Sequence, residues 1–135
     1  MNLRMLVSVL LVSMILSFGV PLSEGNSSGR HNSGSTGCSC HGGASSSITL
    51  TNDFPTQYTP SQTYTINIGF TGGNGGSGGG FSLQVNKGTL TNAGSNMQIS
   101  GTSATHSGSA GTSWTFQWRA PSQGSGDVTV NYVAV

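Results

Sequence analysis

Thr63-Tyr64-Thr65-Ile66-Asn67-Ile68-Gly69-Phe70 is the stretch that decides the fold. Tyr64, Ile66, Ile68 and Phe70 alternate with Thr65, Asn67 and Gly69. A period of two puts the apolar set on one face of a strand and the small or polar set on the other. The same alternation returns in Phe81, Leu83 and Val85, in Trp114, Phe116 and Trp118, and in Val128, Val130, Tyr132 and Ala134. Weaker versions lie at Ile48 and Leu50, at Thr89-Leu90, and at Met97 and Ile99.

Turn chemistry separates these runs. Asn52-Asp53-Phe54-Pro55, Tyr58-Thr59-Pro60, Lys87-Gly88, Ala120-Pro121 and Gln123-Gly124-Ser125-Gly126-Asp127 each break the chain with Pro, Gly or Asn/Asp. Six or seven short strands with no helix pattern between them predict an all-β antiparallel β-sandwich of the immunoglobulin or fibronectin type III kind. Its inward residues are expected to be Ile66, Ile68, Phe70, Phe81, Leu83, Trp114, Phe116, Trp118, Val128, Val130 and Tyr132. Trp114, Phe116 and Trp118 fall on one face, so they read as core rather than as a carbohydrate platform. Thr71 to Gly80 is a glycine tract that buries no apolar surface and reads as a mobile loop. No Lys-Ser or Lys-Thr and no helix pattern follows it, which argues against a phosphate cradle.

The N-terminus has the build of an export signal. Arg4 precedes an apolar run from Met5 to Val20, and Pro21 ends it. We therefore expect a signal-peptide helix over 1–25 and a flexible leader over 26–45, followed by the sandwich over 46–135. The leader is Ser/Gly/Asn-rich and opens on the sequon Asn26-Ser27-Ser28. Export places the mature chain in an oxidising compartment, secreted or at the cell surface. The chain stops at Val135 inside an apolar alternation, from which we expect the sequence to be truncated at its C-terminus, with any membrane anchor lying beyond it.

Charge narrows the function. Only 5% of the 135 residues are charged and the net charge is +1, against roughly 25% charged in an average soluble domain. Nothing here attracts nucleic acid. The carboxylates are Glu24, Asp53 and Asp127 alone, and Glu24 goes with the signal, so paired-carboxylate catalysis has almost no material. The reading is non-enzymatic.

The chemistry that remains is concentrated in Gly37-Cys38-Ser39-Cys40-His41-Gly42-Gly43, which holds both cysteines and one of three histidines. Thioethers from both cysteines with His41 on iron would make a c-type haem site, although the cysteines are one residue closer than the usual spacing, which strains or loses one thioether. Cys38, Cys40 and His41 could equally hold copper or zinc, with His106 or His31 as a fourth ligand. A Cys38–Cys40 disulfide closes a small, strained and reducible ring. A disulfide that only pins the leader, or one that bridges two chains, completes the set.

The order of several short motifs carries a resemblance. Gly37 to Gly43 is followed by Tyr58-Thr59-Pro60-Ser61-Gln62-Thr63-Tyr64, Gly80-Phe81-Ser82-Leu83-Gln84 and Thr105-His106-Ser107. Trp114-Thr115-Phe116-Gln117-Trp118-Arg119-Ala120-Pro121 and Gly124-Ser125-Gly126-Asp127-Val128-Thr129-Val130 complete it. In this order they resemble the prokaryotic reeler-like domain called the choice-of-anchor V domain, over about residues 35 to 135. The resemblance implies a secreted, surface-attached β-sandwich. It also implies c-type haem attachment, since members often carry Cys-x-x-Cys-His where this chain has Cys38-Ser39-Cys40-His41. Two functions follow as expectations. One is a surface module for adhesion or interaction with an extracellular ligand. The other is extracellular electron transfer or metal binding through Cys38, Cys40 and His41, with His106 as a further ligand.

Overall fold

The computed structural model describes residues 28–36, 45–73, 78–108 and 111–135. Eight strands run through them: β1 (Ile48–Asn52), β2 (Thr63–Gly72), β3 (Phe81–Val85), β4 (Thr89–Thr91), β5 (Met97–Ser100), β6 (Ser103–His106), β7 (Ser113–Arg119) and β8 (Val130–Ala134). They form two four-stranded antiparallel sheets, ordered β1-β2-β7-β4 and β5-β6-β3-β8, in a sandwich-like all-β arrangement. The expected signal-peptide helix over 1–25 lies outside the described residues. Among the described residues no helix is long and apolar enough to cross a membrane.

The alternation in β2 and β7 does what period two dictates. Ile66 stands opposite Phe116, and Ile68 opposite Trp114, in an antiparallel register. Ile66, Ile68, Phe70, Phe81, Leu83, Trp114, Phe116 and Trp118 are buried as the sequence predicts. Val85, Leu90, Met97, Ala104 and Ala120 join them. Val130 and Tyr132 are only half-buried, and Val128 precedes β8 rather than belonging to it. Trp118 sits among Phe54, Tyr58 and Tyr64, with ring centroids 5.7–5.8 Å away. Phe81 packs on Trp114 at 4.5 Å nearer the other end.

Two stretches that read as loose are built into the fold. Gly78 to Gly80, the end of the glycine tract, are not loop. Gly78 bridges Gly111, the Gly79 amide donates to the Gly111 carbonyl at 3.1 Å, and Gly80 and Val135 exchange both backbone bonds at 2.9 Å. The tract begins inside β2, since Thr71 and Gly72 pair with Thr49 and Ile48. The second stretch is the described part of the leader, residues 28–36, which lies across the outer face of the sheet β5-β6-β3-β8.

Candidate functional site

The leader segment meets all four strands of the sheet β5-β6-β3-β8. On β6, the Arg30 amide donates to Thr105 Oγ1 at 3.0 Å and the Asn32 amide to Ser103 Oγ at 3.0 Å. On β3, the Ser33 amide donates to Ser82 Oγ at 3.2 Å. On β8, Gly34 lies against the Asn131 carbonyl, 2.5 Å from where a Cβ would stand. Any larger residue at Gly34 would collide with backbone. The Gln98 side chain on β5 ties down the Ser28 carbonyl at 2.5 Å.

Alternation explains why hydroxyls are there to receive these amides. Leu83 and Ala104 point into the core, so Ser82, Ser103 and Thr105 point out of it. They are nevertheless buried, at 0–1% exposure, because the leader covers them. Two of them are also satisfied from below: Thr105 Oγ1 donates to the Phe81 carbonyl at 2.6 Å and Ser103 Oγ to the Leu83 carbonyl at 3.2 Å. Ser103 and Thr105 thus relay between sheet carbonyls and leader amides, while Ser82 accepts a leader amide.

Two of the three histidines fall among the described residues. His31 Nδ1 contacts Ser103 Oγ at 3.1 Å. The Ser103 proton is committed to Leu83, so His31 is the donor in that contact. His106, at the end of β6, takes the opposite parity from Ser103 and Thr105. Its Nδ1 accepts the Phe81 amide at 3.0 Å and lies 3.2 Å from the Phe81 carbonyl. The ring covers Gly80 so closely that a Cβ there would lie 2.3 Å from His106 Cε1. Two pieces of the quoted motif order, Gly80-Phe81 and Thr105-His106, thus touch for a packing reason.

The proposed ligands Cys38, Cys40 and His41 lie outside the described residues. Of the partners considered for them, His31 is engaged on the outer face of β6, and His106 with Phe81 on its other face. Among the described residues no three of His, Cys, Asp or Glu gather as a metal site would require. Trp114 Nε1 is buried with no hydrogen-bond partner.

The outer face of the other sheet is the remaining candidate. Register places Thr49 opposite Thr71, Gln117 between Thr65 and Thr91, and Asn67 beside Thr115. Most of these side chains are exposed, and hydrogen bonds order Asn67, Thr115 and Gln117 among them. Thr115 Oγ1 donates to Asn67 Oδ1 at 2.8 Å, Asn67 Nδ2 to Asp53 Oδ2 at 2.7 Å, and Asn92 Nδ2 to Gln117 Oε1 at 2.5 Å. Arg119 and Asp53 are the charged residues at its borders. The result is an array of hydroxyl and amide groups, partly ordered by these bonds and nearly free of charge. Comparison with family models, with curated proteins and with solved structures finds no match.

Proposed function

We propose that the chain is an exported, non-enzymatic β-sandwich module for adhesion or interaction at the cell surface, of the reeler-like, choice-of-anchor kind that its motif order resembles. The observation that supports this best is the outer face of β1-β2-β7-β4. Thr115, Asn67, Asn92 and Gln117 on it are ordered by hydrogen bonds, and most of its Thr and Asn side chains are open to solvent, which suits a neutral polar extracellular ligand. The sheet order supports a finer reading of the fold. β1-β2-β7-β4 matches the A-B-E-D sheet of an immunoglobulin-type sandwich, and β3-β8 matches its C and F strands.

The test displays the exported chain on a cell that lacks it and measures retention of extracellular material, beside the double variant Thr65→Lys/Thr115→Lys. Both positions are exposed, so melting should not change, while retention should fall to background. Equal retention by the variant, or a wild-type chain that never leaves the cytoplasm, defeats the proposal.

A second reading, electron transfer or metal binding through Cys38, Cys40 and His41, has its own support. The chain on both sides of that stretch is fixed to the sandwich, at Gly34 against β8 and at Ser47, whose carbonyl accepts the Gly73 amide at 3.0 Å. Intact mass and visible spectrum of native protein and of His41→Ala separate the chemistries. A thioether-bound haem survives denaturation, a metal leaves with chelator, and a disulfide returns its missing mass on reduction.

A further inference from the structure

The two lateral flanks of the sandwich are unequal. On one, β4 and β5 approach each other and their inward residues are closed off, Leu90 at 3% and Met97 at 6% exposure. On the other stand the edge strands β1 and β8. There Tyr132 reaches from β8 across to the Gly69 carbonyl of β2 at 2.9 Å. Every residue of β8 is half-exposed, and Leu50 of β1, on the inward parity, is 43% exposed. Leu50 is the one large apolar side chain among the described residues in that condition. The apolar layer runs out to this flank, and no described residue closes it there.

The backbone at the edge is open in a definite pattern. Gly80 and Val135 exchange both of their bonds, and the Asn86 amide bonds the Thr129 carbonyl. In an antiparallel ladder such pairs alternate, so Asn131 and Val133 spend their backbone groups on β3. The N–H and C=O groups of Val130, Tyr132 and Ala134 therefore all face outward. Neither β1 nor β8 carries a charged residue or a proline, the usual devices that keep edges apart.

We propose that this flank is a homotypic interface, in which β8 pairs antiparallel with β8 of a second copy of the chain. The edge is complementary to itself. A two-fold axis at Tyr132 sets Tyr132 against its own counterpart and Val130 against Ala134, in both directions. Those are the residues whose N–H and C=O groups point outward, so each finds a partner and none is left over. Asn131 and Val133 fall in the positions that need no bond. The inward side chains of the added strand, Val130, Tyr132 and Ala134, extend the apolar layer on the side where Leu50 stands open. With no charged residue in β1 or β8, these two strands bring no like-charge repulsion to the contact. The pairing is isologous and closes at two copies.

Sedimentation velocity of the full chain over a concentration series tests this, with Ala134→Pro and Leu50→Lys beside it. Proline at 134 removes an outward N–H that β3 does not use, so the domain should melt as before. The wild type should show a monomer–dimer equilibrium. Each variant should weaken it by about tenfold or more, equivalent to about 1.4 kcal/mol. Hydrogen exchange of the wild type should slow with concentration at the amides of Val130, Tyr132 and Ala134, a readout that does not depend on how well a variant folds. A wild type that stays monomeric at millimolar concentration, or a dimer that protects other amides and leaves those three unchanged, overturns the proposal.

Discussion

His106 is where a residue's chemistry and its packing can be told apart. Its ring takes the Phe81 amide and leaves no room for a side chain at Gly80. Gly80→Ala should cost about 1–3 kcal/mol, the usual range for overpacking. His106→Ala should cost about 1 kcal/mol for the lost bond. The double variant should be more stable than the sum of the two by about 1 kcal/mol or more, because the collision disappears with the ring. Denaturant titrations of the four proteins measure this, and strict additivity would mean that the ring does not pack on Gly80. Tyr132 makes the pH-dependent counterpart. Burial lifts its phenol well above the ordinary value of 10.0. As pH rises past 10 the unfolded chain loses this proton before the folded one does, so the folded state binds more protons and stability falls with pH. Below 10 the contribution is constant. Tyr132→Phe should be less stable at neutral pH, having lost the bond to Gly69, and should show a shallower loss between pH 10 and 11.

Among the elements, β2, β3 and β7 are legible in the sequence because each turns one apolar face to the core, and one apolar face is what alternation encodes. The leader segment is not, for the same physical reason reversed. It docks through the amides of Arg30, Asn32 and Ser33, groups every such residue has, and a Ser/Gly-rich composition reads as a flexible chain. Nor do Ser82, Ser103 and Thr105 betray themselves, since an outward hydroxyl on a strand looks the same whether water or a covering segment meets it. Gly78 to Gly80 pass unread too, because glycine contributes only backbone to the pairs that hold them. The segment supplies its own assay. Trypsin can cut after Arg30 only when residues 28–36 lift from the sheet, so the cleavage rate reports the lifted population. Gly34→Val, which collides with the Asn131 carbonyl, and Ser103→Ala, which removes the acceptor of Asn32, should each speed cleavage by about tenfold for roughly 1.4 kcal/mol of lost docking. Unchanged rates in both variants would show that the segment is not held by these contacts.

At the scale of the molecule, the question is whether the two ends of the sandwich stand or fall together. One end is organised around Trp118 with Phe54, Tyr58 and Tyr64, and the other around Trp114 with Phe70 and Phe81. These are the chain's two tryptophans. β7 carries both, four residues apart, and pairs along its length with β2. A disturbance at either end therefore passes into a strand shared with the other, and a single cooperative transition is expected. Truncating either indole to alanine should cost about 3–5 kcal/mol, a large part of the 5–15 kcal/mol that holds a typical domain together. The milder Trp114→Phe and Trp118→Phe keep the fold and leave one fluorophore each, at opposite ends. Within each variant, thermal melting followed by the remaining tryptophan should coincide with melting followed by far-ultraviolet circular dichroism. If the Trp118 signal were lost at a lower temperature than the sheet, the ends would be separate units, and the Trp118 end would be a surface that opens on its own. In that case the aromatic cluster there would again be a candidate binding platform rather than core, and ligand affinity would become the measurement to make on it.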